Sequence, residues 1–371
     1  MQTRPIYLIV TPFFPFKDDW RGAYVEDFAK AMARTGDWDV RVMLLDYRGT
    51  IEDFEVDGIK VMALPFKRLP GMCWPMFYAK ANRRAFAQVL KRHGIDKQDI
   101  GILHTHTAIC TIYAQELDCV SLEHHHDCES FGLHLGWLNW SRLYGAIERR
   151  ILKRYHEAMT AHVFISERVR RNFEAAMGKQ AEGYVLYNGV DPRLFPKRAK
   201  LPDNERLTIG CVGNFESGKD QAVLIEAAAG LDKAEVKFIG TGPLRDECER
   251  RAELLGVNCR WEPERWHAEM GAWYRTLDLF VLPSSYEGMG CVFLEAAASG
   301  VPFICSDQAG VAELIAADQA RWTFKAGDSV DLRKKIVAWR ETRSNTPLAE
   351  YDIDVLVPRF SEYVKGLVKN K

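Results

Sequence analysis

The sequence predicts an α/β protein built from two parallel-sheet domains, and three observations support this. First, 371 residues with 47% hydrophobic content are enough to bury two cores. Second, short runs rich in β-branched residues alternate with longer helical patterns, which is typical of parallel strands covered by helices. Third, this alternation stops at a turn-rich stretch, residues 187–205, and then starts again. We therefore expect a first domain over residues 1–190 and a second over residues 191–355, with a hinge near Asn188 to Asp191.

The first domain is predicted to be a parallel sheet with its helices between the strands. The runs predicted as its strands are IYLIV (6–10), VRVMLL (40–45), IKVMAL (59–64), IGILH (100–104), CVSLEH (119–124), AHVFIS (161–166) and GYVLY (183–187). The chain begins MQTRPIYLIVTPFFPF, which we interpret as leading into a core strand and not as a signal peptide. No run approaches the roughly 18 apolar residues of a membrane span. We therefore expect a cytoplasmic protein.

The second domain repeats the same pattern. Its predicted strands are LTIGCVG (207–213), EVKFIG (235–240), a run at 257–261, DLFVLP (278–283) and VPFICS (301–306). The chain then ends in an amphipathic stretch, residues 356–371, that predicts a helix. This helix is expected either to end the second domain or to pack back on the first.

Charge and cysteine content exclude several function classes. Because 50 basic residues balance 51 acidic ones, bulk electrostatics does not favour a nucleic-acid partner. Nine cysteines without a Cys-x-x-Cys pair fit reduced packing residues better than a disulfide framework or a cysteine-bound zinc. An anionic ligand must therefore be bound by a local group of residues.

The segment SSYEGMGCVFLEAAASGVPFICS (284–306) has the features of such a local site. A buried strand is expected to end at Pro283, and a helix to begin near Cys291 or Val292. Ligands of parallel α/β folds bind at the carboxyl ends of strands, and a helix start offers unpaired N–H groups to an anion. Glu287 and Glu295 flank this helix start, and carboxylates accept hydrogen bonds from sugar hydroxyls. We interpret the segment as binding a diphosphate between two polyols, with two solvated surface glutamates as the alternative.

Loops after other strands of this domain add a cation. VGNFESGKD (212–220) presents Lys219, and GTGPLRDE (240–247) and RWEPERW (260–266) follow the next two strands. An ammonium group at a helix start suits a departing anion. Each loop alone is weak evidence, since such sequences are common at helix starts.

Taken together, these segments resemble the retaining GT-B glycosyltransferases of family 4. The segments that carry the resemblance are YNGVDPRLF (187–195), VGNFESGKD, GTGPLRDE and PSSYEGMGCVFLEAAASGVPFICSDQAGVAELI (283–315), with the glycine loop near Gly22, ILHTHT (102–107) and SLEHHHD (121–127) in the first domain. The resemblance implies two Rossmann-like domains facing across a cleft, with the acceptor bound by the first and a nucleotide-sugar donor by the second.

The resemblance also implies residue roles. Glu287 would bind the donor sugar, Glu295 the ribose and Lys219 the diphosphate. His124 matches the histidine that the family places beside the donor sugar. Further residues expected to line the donor site are Gly22, Asn214, Gly242, Met289, Gly290, Cys291 and Val292.

Two positions depart from the family pattern. The family usually has arginine five residues before the lysine, where this chain has Asn214, so one positive charge near the diphosphate is missing. Ala309 stands where a glycine is common before Gly310. These departures leave the fold expectation unchanged and bear on rate, donor choice and backbone approach.

The histidine run raises the alternative of a metal site. His124 to His126, flanked by Glu123 and Asp127, have the ligand types for zinc or iron, and His104 and His106 are expected nearby. Successive strand residues point to opposite faces, so the run cannot direct every side chain at one ion. We expect no catalytic metal, with a metal hydrolase and a structural histidine cluster as alternatives.

Two Asp-x-Asp triplets, at 37–39 and 352–354, are interpreted as turn charges.

Two stretches of the first domain, residues 65–84 and 131–158, interleave lysine and arginine with large aromatic residues. This composition suits a membrane surface or a lipid-linked acceptor, and equally a helix with an apolar core face.

The sequence therefore predicts a cytoplasmic, retaining, metal-independent enzyme that transfers a sugar to a saccharide or lipid-linked acceptor in bacterial cell-surface polysaccharide or glycolipid synthesis. The expected donor is UDP-linked, with a GDP-linked donor as the alternative, and no separate cofactor is expected. Peripheral contact with the inner face of the membrane, through the first domain, is the accompanying expectation. Other functions considered are a nucleotide-sugar epimerase or hydrolase, and a non-catalytic nucleotide-sugar-binding protein, which Asn214 makes more credible.

Overall fold

The computed structural model describes residues 4–17, 19, 21–67, 78–126, 150–151, 153–200 and 205–371. The chain divides into two compact units, Met1–Tyr187 with Ile353–Lys371, and Asn188–Asp352. Each unit is built on one parallel sheet with helices between its strands, which confirms the predicted α/β class with two Rossmann-like domains. The first boundary falls close to the expected position at residue 190, and the C-terminal helix belongs to the first unit.

The first unit contains an eight-stranded sheet with the order β3-β4-β2-β1-β5-β6-β7-β8. The strands are β1 Ile6–Thr11, β2 Asp39–Asp46, β3 Phe54–Val56, β4 Ile59–Pro65, β5 Ile100–His106, β6 Val120–His125, β7 Ala161–Phe164 and β8 Gly183–Val185. All neighbouring strands pair in parallel except β3, which is antiparallel to β4. Strands β1, β5 and β6 lie inside this sheet, so the side chains at their carboxyl ends are brought together.

Helices cover both faces of this sheet. Among the described residues they are α1 Ala23–Arg34, α2 Ala79–Arg92, α3 Glu167–Met177 and α10 Ile353–Lys369, with 3-10 turns at Lys97–Asp99 and Ala108–Glu116. One core lies beneath α1 and α10 and includes Tyr7, Phe28 and Phe360. The other lies beneath α2 and includes Phe86 and Tyr113, whose rings stack. The C-terminal helix therefore completes the first unit, the second of the two placements considered from the sequence.

The second unit contains a six-stranded parallel sheet with the order β11-β10-β9-β12-β13-β14. Its strands are β9 Leu207–Val212, β10 Ala234–Ile239, β11 Cys259–Glu262, β12 Leu279–Leu282, β13 Phe303–Ser306 and β14 Thr323–Phe324. Its helices are α4 Gln221–Ala228, α5 Arg245–Leu255, α6 His267–Tyr274, α7 Cys291–Ala298, α8 Gln319–Trp322 and α9 Ser329–Thr342, with a 3-10 turn at Gly310–Leu314. Since β9 is central, the loops after β9, β10 and β12 leave the sheet at one edge.

In the part of the chain that the structure describes, no helix combines the length and apolar character needed to cross a membrane.

Candidate active site

The loop after β12 forms the centre of the candidate site. Helix α7 begins at Cys291, as the sequence predicts, and Gly290 caps it in the left-handed conformation with φ 79°. A Cβ at Gly290 would lie 2.7 Å from the Phe293 ring and 3.0 Å from Glu287 Cγ. Glycine is therefore required here both by the backbone and by the lack of space. The first N–H groups of α7 have no intrahelical acceptor, as at every helix start.

A second loop fixes the backbone of residues 287–289. The Glu287 carbonyl accepts from the Gly310 N–H at 2.9 Å, and the Met289 carbonyl accepts from the Val311 N–H at 3.1 Å. A Cβ at Gly310 would lie 2.0 Å from the Gly288 carbonyl oxygen, so the close approach depends on that glycine. Ala309 is buried, and its backbone is extended with φ −89°. The backbone at position 309 therefore does not require the glycine that is common there in the family.

Lys219 and Glu287 lie against each other. The Lys219 Nζ donates to Glu287 Oε2 at 2.5 Å, and the two side chains are 31% and 17% exposed. The Lys219 backbone precedes α4 in the loop after β9, whereas Glu287 lies in the loop after β12. Sheet order makes β9 and β12 neighbours and so joins a cation and an acid that are 68 residues apart. Both groups remain partly accessible to a ligand.

Glu295 is held by two residues that the sequence analysis did not identify. Its Oε2 accepts from the Tyr274 hydroxyl at 2.7 Å, and its Oε1 is 3.3 Å from His267 Nε2. Glu295 lies on the second turn of α7 and is buried, while Tyr274 is fully buried at the end of α6. Both residues lie in the run HAEMGAWYRTLD (267–278), which mixes apolar with charged residues and gives no signal of these contacts.

Asn214 and Gly242 lie in two loops that contact each other. The Asn214 amide is 3.4 Å from Glu216 Oε1, and its carbonyl accepts from Gln221 Nε2 at 2.9 Å. A Cβ at Gly242 would lie 2.6 to 2.9 Å from the Phe215 backbone. The glycine at 242 thus has a packing reason that is independent of any ligand.

The other residues expected at the donor differ in accessibility. Met289 is fully buried, whereas Cys291 and Val292 are partly exposed. The Asn188 amide donates to Cys291 Sγ at 3.1 Å, which ties the beginning of the second unit to the start of α7. Contact of Met289, Cys291 and Val292 with a donor stays a prediction.

Gly22 caps α1 in the first unit. Its φ is 90°, and a Cβ would lie 2.5 Å from the Phe13 carbonyl carbon. The loop after β1 therefore packs directly on the start of α1, and this close approach requires glycine at position 22. Contact of this loop with a donor or acceptor stays a prediction.

The histidine run divides between the two faces of the sheet. His126 stacks on His124 and on His106, and the His106 and His124 rings are in tilted contact, whereas His125 packs on His162 and Phe173. This confirms that the run cannot direct all of its imidazoles at one ion.

His124 itself is deeply buried. Neither ring nitrogen has a hydrogen-bond partner among the described residues, although the ring stacks on His104. Burial, aided by the neighbouring His126, holds the pKa of His124 well below its usual range, so the ring is neutral at pH 7. His126 follows at the end of the strand, and its Nε2 is 3.0 Å from His106 Nδ1. His126 is partly exposed, whereas His124 is 3% exposed.

The remaining sequence predictions concern surface charges. Asp37 binds Ser361 and Lys365, Asp39 pairs with Arg41 at 2.6 Å, and Asp354 pairs with Arg34 at 2.5 Å. The turn-charge interpretation is wrong for two of these residues, since Asp39 begins β2 and Asp354 lies in α10, and each forms an ion pair there. Residues 68–77 of the basic and aromatic stretch at 65–84, and residues 131–149 and 152 of the stretch at 131–158, lie outside the described residues.

Comparisons with known proteins agree with the fold of the two units. A family model described as Glycosyltransferase Family 4 matches residues 22–194, and one described as Glycosyl transferases group 1 matches residues 194–350. Sucrose-phosphate synthase from Thermosynechococcus elongatus matches with a TM-score of 0.81 and 18% identity over 100% of both chains. Anabaena HepE in complex with UDP matches with a TM-score of 0.71 and 16% identity, over 97% of this chain and 100% of its own. At these identities the likeness shows the fold, which is GT-B.

Curated relatives of this chain include glycosyltransferases. The chain is 35% identical over 176 residues to the putative glycosyltransferase EpsF of Bacillus subtilis, a match that spans 43% of each chain. It is 26% identical over 261 residues to the GDP-mannose-dependent alpha-(1-6)-phosphatidylinositol monomannoside mannosyltransferase of Mycobacterium tuberculosis, covering 62% of this chain and 67% of the relative. The chain belongs to family 4 of the GT-B glycosyltransferases.

Proposed function

We propose that this protein transfers a sugar from a nucleoside-diphosphate sugar to a saccharide or lipid-linked acceptor, with retention of anomeric configuration and without a catalytic metal. The observation that carries the proposal is the contact between Lys219 and Glu287 beside the start of α7. One cation, one acid and a set of backbone N–H groups meet there at the carboxyl end of a parallel sheet. This combination suits a diphosphate bonded to a polyhydroxylated sugar.

The main chemical task is to stabilise the departing nucleoside diphosphate. Its negative charge increases as the glycosyl–phosphate bond breaks, and Lys219 is the cation placed at the site. The N–H groups of Met289, Gly290 and Cys291 add fixed dipoles at the helix start. Asn214 can offer a hydrogen bond to a phosphate oxygen but no charge, so Lys219 carries more of this task than in relatives with arginine there.

Retention follows if the acceptor attacks from the face that the diphosphate leaves. The glycosyl–phosphate bond breaks first and leaves an oxocarbenium-like sugar. The acceptor hydroxyl then forms the new glycosidic bond, and its proton passes to the released phosphate oxygen. Atoms and charge balance without a protein base. Glu287 orients the sugar hydroxyls, Glu295 binds the ribose, and His124 holds a sugar hydroxyl near the reacting carbon.

The nature of the donor and acceptor is supported by the names of relatives. The mannosyltransferase named above uses GDP-mannose and a phosphatidylinositol mannoside, and HepE was solved with UDP. Another relative, 30% identical over 148 residues, is the lipopolysaccharide core biosynthesis mannosyltransferase LpsB of Rhizobium meliloti. We propose a UDP-sugar as the donor, with a GDP-sugar as the alternative, and an acceptor of the bacterial cell surface, reached from the cytoplasm at the membrane.

A donor panel tests this proposal. The purified full chain is mixed with UDP-, GDP- and ADP-linked sugars, and thermal unfolding is recorded for each. We expect one nucleotide class to raise the Tm, and release of the free nucleotide to require an acceptor saccharide or glycolipid extract. NMR of the product gives the anomeric configuration, and a rate unchanged in the first minutes after EDTA addition is expected for metal-independent transfer.

The same assay separates the competing functions. Nucleotide release that needs no acceptor, or conversion of the donor sugar to its epimer, would favour a hydrolase or an epimerase. Thermal stabilisation without any turnover would favour a non-catalytic binding protein. An inverted product would overturn the retaining mechanism, and no response to any donor would overturn the proposal as a whole.

A further inference from the structure

A cluster of three imidazoles and one carboxylate lies on the face of β6 that faces away from His124. Glu123 and His125 come from β6, His162 from β7, and His156 from the helical residues 153–157. Glu123 and His162 are opposite each other in the parallel pairing, so their side chains share one face. All four residues are buried. We call them the Glu123 cluster.

Their potential ligand atoms converge on one carboxylate oxygen. Glu123 Oε2 is 2.5 Å from His156 Nδ1, 3.5 Å from His162 Nδ1 and 3.6 Å from His125 Nε2. His125 Nε2 is also 3.1 Å from His162 Nδ1. In a tetrahedral zinc site with ligand bonds of about 2.0–2.2 Å, neighbouring ligand atoms lie about 3.3–3.6 Å apart. Three of the four observed separations are close to this spacing.

The composition of the cluster also suits a divalent cation. A buried carboxylate is costly unless a positive group compensates its charge, and Glu123 is fully buried. Its second oxygen, Oε1, has no hydrogen-bond partner among the described residues. A neutral imidazole binds metal through one nitrogen, and three imidazoles with one carboxylate form an ordinary four-coordinate zinc set.

Aromatic packing holds the rings in place. His125 stacks on Phe164 with ring centroids 5.0 Å apart, and Phe173 of α3 lies 4.4 Å from His125 and 4.7 Å from His162. Such an apolar shell orients ligands and limits competition from water. A cavity of about 250 Å³ borders the cluster at His156 and His162.

We propose that Glu123, His125, His156 and His162 bind one Zn²⁺ ion that stabilises the first unit by joining helical residues 153–157 to β6 and β7. The site lies on the opposite face of β6 from His124, so it is structural and takes no part in sugar transfer. The proposal goes beyond the proposed function and does not depend on it.

The imidazoles of the other face are the competing location. Glu123, His125 and His156 each bring one ligand atom within 4.8 Å of the others, and so do His104, His106 and His124; His162 belongs to neither group and reaches Glu123 and His125 only. The group on the other face contains no carboxylate to balance the ion's charge. The Glu123 cluster is therefore the better cation site.

Zinc content and thermal stability test the proposal. The full chain is stripped with a chelator, reloaded with Zn²⁺ and desalted, and its metal is measured by plasma mass spectrometry. We expect about one zinc per chain and a higher Tm for the loaded protein. Co²⁺ in place of Zn²⁺ should give the visible absorption of a four-coordinate site.

Variants locate the ion. Glu123→Gln and His162→Asn are each expected to weaken zinc binding about 10- to 100-fold. His104→Gln is the matched control on the other face and should retain one zinc. Failure of the wild-type chain to bind zinc, with no change in Tm, would overturn the proposal even if the variants do not fold. If His104→Gln loses zinc while Glu123→Gln keeps it, the ion binds on the other face of β6, and the proposal is equally overturned.

Discussion

At the scale of single residues, the structure gives each acidic residue of the candidate site a different environment. Glu287 is paired with Lys219, which is also the cation expected to bind the diphosphate. Glu295 is instead bound by a neutral hydroxyl from Tyr274 and lies beside His267. A diphosphate must therefore compete with Glu287 for Lys219, whereas Glu295 is held in place independently of the ligand.

This competition predicts an opposite effect of one substitution on binding and on turnover. Glu287→Gln frees Lys219 from a partly exposed ion pair worth about 0.4–1 kcal/mol, so free UDP or GDP should bind about two- to fivefold more tightly. Transfer should fall by at least about 100-fold because the sugar loses its anchor. Calorimetry with the nucleotide and a turnover assay measure the two effects.

Lys219→Ala is the matched control for that experiment. It should weaken nucleotide binding and also abolish transfer, since the cation itself is lost. Weaker nucleotide binding by Glu287→Gln would contradict the competition between the carboxylate and the diphosphate.

The Tyr274 hydroxyl is predicted to position Glu295. Tyr274→Phe removes a buried charge-assisted hydrogen bond worth about 1.5–2 kcal/mol, so the donor KM should rise about 10- to 30-fold while kcat changes less. Steady-state kinetics with varied donor measure both constants.

Tyr363→Phe is the control, because its buried hydroxyl has no hydrogen-bond partner among the described residues. It should leave the donor KM unchanged. If the donor KM of Tyr274→Phe is unaltered, the Tyr274 hydroxyl does not position Glu295.

At the scale of elements, the C-terminal helix shows what periodicity can predict and what it cannot. Its amphipathic pattern predicts a helix, and α10 spans Ile353–Lys369. Its place in the first unit depends on contacts with residues more than 300 positions away, including Trp38 Nε1 donating to Ser361 Oγ at 2.9 Å. Short strands are harder to predict from sequence. Strands β3 and β14, of three and two residues, are too short to produce a periodic pattern. The Asp57-Gly58 pair between β3 and β4 is nevertheless typical of a hairpin turn.

The apolar face of α10 is predicted to contribute strongly to the stability of the first unit. Phe360 is fully buried against Phe28 and Tyr184. Phe360→Ala should lower the free energy of unfolding by about 3–5 kcal/mol through lost burial and a residual cavity. Urea titration followed by circular dichroism measures the change.

Val368→Ala, at a position 39% exposed on the same helix, should cost less than about 0.5 kcal/mol. Equal effects of the two substitutions would show that α10 does not pack through this face.

At the scale of the whole molecule, we expect the free energy of unfolding to depend on pH, because several histidines are buried. Burial, with a smaller effect of His126, lowers the pKa of His104 to about 3. Its unfolded pKa is about 6.5, so between these values the unfolded chain binds more protons than the folded one. Stability should therefore fall as pH decreases below about 6.5, by up to about 1.4 kcal/mol per pH unit for this residue.

Urea midpoints at pH 7.5, 6 and 5 measure this dependence. The groups facing His104 are Tyr7, His106 and His124, and burial also lowers the pKa of both of these histidines. Substituting His104 by glutamine should reduce the slope between pH 6 and 5. An unchanged slope would mean that His104 does not titrate on unfolding.

The amino-acid sequence by itself determined the fold class, the approximate position of most strands, the helix start at Cys291 and the alternation of the histidine run, because these depend on local periodicity and glycine spacing. Only the tertiary structure decided which side chains meet. Lys219 reaches Glu287, Tyr274 reaches Glu295, and His156 and His162 join Glu123. Local pattern sets the direction of a side chain within its own element. The order of strands and the packing of helices, which depend on the whole chain, set what that side chain faces.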